Sequence, residues 1–239
     1  MFEGMTVGVV IPARDEAGNI GQVVGGLLGL RADTGAPIVD DLVVCDNGST
    51  DATAQRAREA GARVVVEKTA GYGRACQTAI AALRPVDVVV FVDGDRSCEA
   101  AQARDLLRAV AAGADLVIGS RALGRMEPGS LSLPQIAGNR VASVLIRLLW
   151  GQRVTDLGPF RAIRSDVLRR LDMRDTAYGW TVEMQIKAIQ RRLHVVEVPV
   201  DSLRRRFGRS KVGGTVRGVV GASVGILGMI VRLRGRERP

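Results

Sequence analysis

Aromatic residues make up only 3% of these 239 residues, and the shortage matters most where positive charge is densest. Residues 200–239 hold +8 of the net +9 but a single aromatic, Phe207, while residues 1–199 balance to +1. With no platform on which bases could stack, nucleic acid is a poor candidate for the partner of that basic segment. A phosphorylated ligand or an anionic membrane surface fits it better. Cysteine occurs three times, as Cys45, Cys76 and Cys98, with no Cys-x-x-Cys pair, which points to a reducing compartment. No basic stretch followed by a long apolar run opens the sequence, so no signal peptide and a cytoplasmic location are expected. No Gly-x-Gly-x-x-Gly follows the first apolar run, and no Gly-x-x-x-x-Gly-Lys-Ser/Thr occurs anywhere. Dinucleotide oxidoreductases and P-loop ATPases are therefore poor fits. The uncharged stretch Gly218 to Val231 has 14 residues, short of the ~20 that a membrane span needs.

What is present is an alternation of strand-like and helix-like segments around one stretch, Val86 to Asp95 (VDVVVFVDGD). Val88 to Val92 form an unbroken apolar run of the kind buried on both faces at the centre of a parallel sheet. It ends in Asp93-Gly94-Asp95, where open α/β sheets place their ligands, and Gly94 is expected to turn the backbone so that both carboxylates converge. Two hard anionic ligands, with the remaining positions left to water and phosphate, suit Mg2+ or Mn2+ held against a diphosphate. The bland alternative is that Asp95 or Ser97 only caps a following helix.

Further strands are expected at Thr6–Ile11, Asp41–Asp46, Arg63–Glu67, Asp115–Gly119, Phe160–Ile163 and Val195–Val200. Pro199 suits the last of these to an edge. Helices are expected at Ile20–Leu30, Ala52–Ala60, Arg74–Leu83, Glu99–Ala112, Ile136–Trp150, Asp166–Leu171 and Thr181–Arg191. Ser49, Thr50 and Asp51 would cap the second of them. The order implies one α/β unit with a doubly wound, mostly parallel sheet flanked by helices. Its early strands end in Pro12-Ala13-Arg14-Asp15-Glu16, Asp46-Asn47-Gly48-Ser49 and Asp93-Gly94-Asp95, three polar ends on one rim that form a site for a nucleotide.

The segments VVIPARDEAGNI, VVCDNGSTDAT, Gly71-Tyr72-Gly73-Arg74, VFVDGD, IGSRALG, TDLGPFRAIR, GWTVEMQIKA and EVPVDSLRRRFGRSK carry a resemblance. In this order, over Val7 to Lys211, they resemble family-2 glycosyltransferases of GT-A fold, in the branch of dolichyl-phosphate mannose synthase and bacterial polyprenyl-phosphate glycosyltransferases. The resemblance implies a GT-A domain over residues 1–211 and a basic, glycine-rich helix and tail over 212–239. It implies that Pro12, Ala13, Asp15 and Glu16 border the nucleotide base, that Asp46 contacts base or ribose, and that Asp93, Gly94 and Asp95 meet the diphosphate, with both carboxylates on the metal. Arg74, Arg121, Arg140, Arg206, Ser210 and Lys211 are the phosphate and acceptor contacts it implies. Asn47, where many relatives have Asp, and Arg14-Asp15-Glu16, in place of the commoner Tyr-Asn-Glu, depart from its pattern.

The activity so implied is inverting, metal-dependent transfer of a sugar from a nucleotide-diphosphate sugar. A lipid phosphate acceptor, with a second pKa near ~6, is already ionised at neutral pH and needs no base. A hydroxyl acceptor would need one, and Asp156 and Glu183 are the candidates, with Asp95 and Arg121 completing the catalytic set. The lone histidine, His194, opens a strand and reads as structural. A sugar nucleotidyltransferase and a non-catalytic nucleotide-binding protein are the alternatives from other classes. The tail repeats glycine at Gly214, Gly218, Gly221, Gly225 and Gly228, largely opposite Val216, Val219, Val220, Val224, Leu227, Ile230 and Val231. That pattern predicts a helix from Thr215 to Val231 that packs by its glycine side on its own domain, on a second copy, or at the cytoplasmic membrane face as a peripheral contact.

Overall fold

A computed structural model describes residues 1–208 and 216–235. Seven strands build one sheet: β1 (Val7–Ala13), β2 (Asp41–Asp46), β3 (Arg63–Val66), β4 (Val88–Phe91), β5 (Leu116–Ser120), β6 (Arg161–Arg164) and β7 (Val195–Pro199). Their order is β3-β2-β1-β4-β6-β5-β7, and pairing is parallel except where β6 runs antiparallel to both β4 and β5. Every residue of β1, β2 and β4 is buried, which their near-continuous aliphatic sequences permit and a sheet covered on both faces requires. β7 lies at the edge, as Pro199 demands.

The helices are α1 (Ile20–Leu28), α2 (Thr53–Glu59), α3 (Tyr72–Ala82), α4 (Ala103–Ala111), α5 (Leu133–Trp150), α6 (Ser165–Leu171), α7 (Trp180–Gln190) and α8 (Val216–Arg234). α1, α2 and α4 cover one face of the sheet over Val9, Ile11, Leu27, Ala57 and Leu107. α3, α6 and α7 cover the other over Val10, Phe91, Ile118, Leu171 and Trp180. Neighbouring β1 residues feed opposite cores, as the twofold repeat of a strand dictates. The expected fold, a single mostly parallel sheet between helices, is the one observed. Its boundaries shift little, although the helix expected from Glu99 opens with a short 3-10 turn at Ala100–Gln102 before α4.

α5 and α8 stand apart from the sheet and meet α7 in a third cluster of Ala142, Ile146, Leu157, Val182, Ile186, Met229, Ile230 and Leu233. Sequence explains the bounds of α5: Ser132 and Gln135 form a capping box, Pro134 sits in the first turn, and Gly151 ends the helix at φ +73°. Its face is not where the sequence put the core. Of the apolar face that its sequence suggests, Ile136, Val141, Val144, Leu145 and Leu148, only Leu145 packs on the cluster; the other four are exposed, and Ala142 and Ile146 are buried instead. The glycine stripe of α8 is only partly its packing side. Gly218 is buried, but Gly221 and Gly228 are exposed, and the contact is made by Ala222, Met229, Ile230 and Leu233. Larger side chains won that face because they bury more apolar area than glycine can. The division expected at residue 211 falls outside the described residues.

Candidate active site

The C-terminal ends of β1, β2 and β4 lie side by side, because the three strands are parallel neighbours. The loop after β2 laces the loop after β1. Ser49 Oγ accepts the Asp15 N–H (2.9 Å), Thr53 Oγ1 accepts the Glu16 N–H (2.7 Å), and Asp51 accepts the Ala17 N–H (3.1 Å). Ser49 and Asp51, expected as helix caps, thus shape the strand rim, and Asp51 also accepts the Thr53 N–H. Asp15 is held at φ +47° with its carboxylate on the Thr50 N–H (2.7 Å).

Asp93 and Asp95 follow β4. Gly94 does not make the turn, whose left-handed residue is Arg96 at φ +61°. Glycine is needed at 94 for closeness, since a Cβ there would come within 3.2 Å of both Ala13 and Ile20. Tyr72 Oη donates to Asp93 (3.0 Å). Burial, and then the charge of Asp95, push the Asp93 carboxyl up to about 7. Arg205 bridges Glu16 (2.7 Å) and Asp95, so a guanidinium lies where the carboxylates gather.

These residues line two adjoining cavities. The first, of 530 Å3, is lined by Pro12 to Glu16, Asn47, Gly71, Tyr72, Asp93, Gly94, Asp95, Tyr178 and Arg205, among others. The second, of 690 Å3, shares Tyr72, Asp93, Asp95, Tyr178 and Arg205 and adds Ser97, Arg121, Arg204 and Arg206. It continues into an apolar groove of 400 Å3 between α5 and α8, lined by Val141, Leu157, Ala222, Ile226 and Leu227, with Arg121 at its inner end. Among the described residues no group of three or more His, Cys, Asp or Glu side chains could hold a metal ion. The pair Asp93 and Asp95 is a donor set that would suit a hard cation drawing its other ligands from water and phosphate.

Of the residues singled out from sequence, Pro12, Ala13, Asp15, Glu16, Asp93, Gly94, Asp95, Arg121 and Arg206 line the cavities. Others do not. Asp46 is buried behind the rim, with its carboxylate on the Ser49 N–H, and neighbouring Asn47 lines the cavity instead. Arg74 and Arg140 line none of the three spaces, because Arg74 sits in the first turn of α3 and Arg140 on the exposed side of α5. Ser210 and Lys211 lie outside the described residues.

Both carboxylates considered as bases are already engaged. Asp156 takes two bonds from the Arg121 guanidinium (both 2.7 Å) and one from its N–H (2.8 Å). Burial pushes its carboxyl up, but Arg121 outweighs burial and holds it below the usual range. Its loop is fixed by Glu197, which accepts the Thr155 N–H, and by Asn139 of α5, which clasps Thr155 and Leu157. Glu183 is buried and accepts the N–H groups of Arg174 and Asp175 while pairing with Lys187 (2.7 Å). It lines neither cavity; it anchors the loop that ends in Ala177 and Tyr178. That loop packs on the Gly71-Tyr72-Gly73 turn so closely that a Cβ on Gly73 would lie 2.1 Å from the Asp175 carbonyl oxygen. Only glycine admits this approach.

Tyr72, Tyr178, Arg161 and Arg205 were missed as site or site-bearing residues, and Asn47 was read only as part of a polar strand end. Asn47 binds the Glu67 and Thr69 carbonyls and the Gly71 N–H, tying two loops through one amide. Arg161 is fully buried on Gly158 and Thr181 carbonyls and on Gln185 beneath the Asp156 loop, and burial lowers it to about 10. The arginine run 204–206 was the available signal for Arg205. Nothing local in the sequence marks Arg161.

Comparison with known proteins places the chain in a family. The sequence pattern of glycosyl transferase family 2 matches residues 8–172. An uncharacterised glycosyltransferase of Mycobacterium tuberculosis is 34% identical over 221 residues, 91% of this chain and 94% of that one. An undecaprenyl-phosphate mannosyltransferase of Micrococcus luteus is 31% identical over 243 residues, covering 97% of each chain. Glucosyl-3-phosphoglycerate synthase from M. tuberculosis, crystallised with Mn2+, uridine diphosphate and glucosyl-3-phosphoglycerate, superposes with a TM-score of 0.74 at 25% identity, over 97% of this chain and 81% of that one. A carboxylate pair closing a central parallel strand, a match over most of the chain and relatives of nearly equal length lead to one assignment: the chain belongs to glycosyl transferase family 2, and it is a glycosyltransferase of GT-A fold.

Proposed function

We propose that the protein transfers a sugar, with inversion, from a nucleotide-diphosphate sugar to a polyprenyl phosphate. The carrying observation is the composition of the second cavity. Arg121, Arg204, Arg205 and Arg206 line it, Asp93 and Asp95 are its only carboxylates among the described residues, and it opens into an apolar groove. An anionic head with a hydrocarbon tail matches that sequence of surfaces. The relative from M. luteus, named for undecaprenyl phosphate, supports the same acceptor class.

In this reading the first cavity takes the nucleotide, with Pro12 to Glu16 and Asn47 around base and ribose, and the diphosphate lies at Asp93 and Asp95. A divalent ion held there, Mg2+ or Mn2+, would offset the charge of the leaving diphosphate; the neighbour crystallised with Mn2+ and uridine diphosphate supports it. Arg205 would exchange its carboxylate partners for phosphate oxygens, and Arg121, kept in place by Asp156, would orient the acceptor phosphate. An ionised phosphate oxygen attacks without losing a proton. Asp156 and Glu183, both engaged, are then not required as bases.

The test is a panel of nucleotide-diphosphate sugars with Mn2+ or Mg2+, offered a short-chain prenyl phosphate or the matching prenol. Release of nucleoside diphosphate is expected with the phosphate alone. Arg206→Ala should raise the acceptor KM roughly tenfold and leave the donor KM within about twofold, as for loss of one charge-assisted contact. Turnover with the prenol, or with sugar hydroxyls, would remove the phosphate acceptor.

A further inference from the structure

A sugar that leaves one cavity for the other must pass their shared wall, formed by Tyr72, Asp93, Asp95, Tyr178 and Arg205. Asp93, Asp95 and Arg205 carry the charges that a metal and a diphosphate would meet there. The other two are the only tyrosines in the chain. They differ in what holds them. Tyr72 opens α3, and its Oη donates to Asp93 (3.0 Å), so its polar end belongs to the carboxylate pair. Tyr178 is 37% exposed, and its hydroxyl makes no hydrogen bond among the described residues. Its ring and its hydroxyl are both open to a ligand.

The backbone around Tyr178 is fixed on both sides. The Ala177 carbonyl accepts the Gly73 N–H (3.2 Å), Asp175 accepts the Ala177 N–H (2.8 Å), and Glu183 accepts the Asp175 N–H (2.7 Å). Gly179 has no room for a side chain, since a Cβ there would lie 2.8 Å from Asp175 Oδ2 and 3.0 Å from Met229 Cε. The tyrosine side chain is backed by α8. A Cβ on Gly225 would sit 3.6 Å from the Tyr178 Cβ, and one on Gly221, a turn earlier, 3.8 Å from its Cε2. A methyl at either place would only touch the tyrosine, whereas a long side chain would compete with it for space. Two glycines of the tail thus have a task that packing on α5 and α7 does not explain.

We propose that Tyr178 holds the sugar under transfer, its ring flanking the sugar ring between the two cavities, and that Gly221 and Gly225 of α8 set where that ring stands. A tyrosine offers a flat apolar face to the C–H groups of a sugar and a hydroxyl to its oxygens. Its fixed backbone leaves little freedom to lose on binding. Transfer needs the anomeric carbon about 3–3.5 Å from the attacking oxygen, so a displaced wall costs rate. No proton or covalent bond passes through Tyr178. The inference rests on the donor and acceptor roles given above to the two cavities, but the hold on the sugar is read from donor binding alone.

The test is calorimetric titration of the full chain in Mn2+ with uridine diphosphate against UDP-glucose and guanosine diphosphate against GDP-mannose. Tyr178→Ala should weaken the sugar nucleotide about tenfold and leave the matching diphosphate within about twofold. Tyr178→Phe, which keeps the ring, should stay within about threefold of the parent for both. Gly221→Leu, at an exposed helix position where leucine is the better helix former, should weaken the sugar nucleotide severalfold and the diphosphate little. In the Tyr178→Ala background the same change should cost nothing further. Melting of each variant should match the parent. Equal loss of diphosphate and sugar nucleotide in Tyr178→Ala would make the tyrosine a structural wall and overturn the proposal, as would no loss at all. A Gly221→Leu protein that binds both like the parent overturns the part played by α8. If neither diphosphate binds the parent, the nucleotide reading of the first cavity goes and takes this inference with it. A sugar-specific loss without turnover of any prenyl phosphate would leave Tyr178 in its role and remove only the acceptor reading.

Discussion

Asp93 and Asp95 differ in what surrounds them, and the difference predicts distinct behaviour. Asp95 meets Arg205 and the Ser97 N–H, so its charge is compensated in the free protein. Asp95→Asn should leave the fold intact yet lower turnover by at least about 100-fold, the scale on which a metal-held leaving group matters. Nucleoside diphosphate titrated in Mn2+ should bind more weakly to it, and unchanged turnover would remove the metal from this position. Asp93 has burial and a like charge against it, which raise its carboxyl to about 7 from an ordinary 3.8. Between about pH 4 and 7 the folded protein therefore keeps a proton that the unfolded chain has released. The extra stability this brings is greatest toward the acid end of that window and is lost as pH rises through 7. Urea midpoints in a chelating buffer should fall from about pH 5 to pH 8, and Asp93→Asn should flatten that slope. A slope that persists in the variant would place the titrating group elsewhere.

At the scale of elements, the site depends on loops held from behind. Glu183 on α7 fixes Arg174 and Asp175, their loop covers the Gly71-Tyr72-Gly73 turn, and the same loop carries Tyr178 into both cavities. Glu183→Gln keeps the shape but removes a buried charge that pairs with Lys187, so one acceptor set becomes partly a donor. Expected are a lower urea midpoint and a donor KM raised severalfold, with kcat and its pH profile little changed. A collapse of kcat with donor binding intact would make Glu183 a base after all. The strands and the carboxylate pair were legible because they are local: Val86 to Asp95 states both its burial and its polar end in ten consecutive residues. The roles of Glu183 and Arg74 were not, because each depends on partners the fold brings from elsewhere, the Arg174 and Asp175 N–H groups for Glu183 and the Thr176 carbonyl for Arg74. The same reason explains α5. Its apolar periodicity was plain, but which of two apolar sides faces α7 is settled only by what α7 and α8 present, and small Ala142 allows the close approach.

For the molecule as a whole, the question is whether the sheet domain is complete without α8. The sequence suggested a separable tail, and a chain ending at Lys211 would remove it. Met229, Ile230 and Leu233 are buried against Ile146 of α5 and Val182 and Ile186 of α7, and Gln190 donates to the Leu233 carbonyl (3.1 Å). Burial of such side chains contributes at most about 1.5–3 kcal/mol each, against about 5–15 kcal/mol for a whole domain. Losing all three while exposing their partners on α5 and α7 should cost a large share of the stability. The expected outcome is a chain ending at Lys211 that unfolds at markedly lower urea or is recovered aggregated. Met229→Ala in the full chain should lower stability by about 2–5 kcal/mol with the slope of unfolding unchanged. Asn139 ties α5 to the loop that carries Asp156, so the truncated chain should also lose acceptor-side function before donor binding. A truncated chain with the full-length urea midpoint and full turnover of a short-chain prenyl phosphate would make α8 a true appendage, and its contacts with α5 and α7 energetically idle.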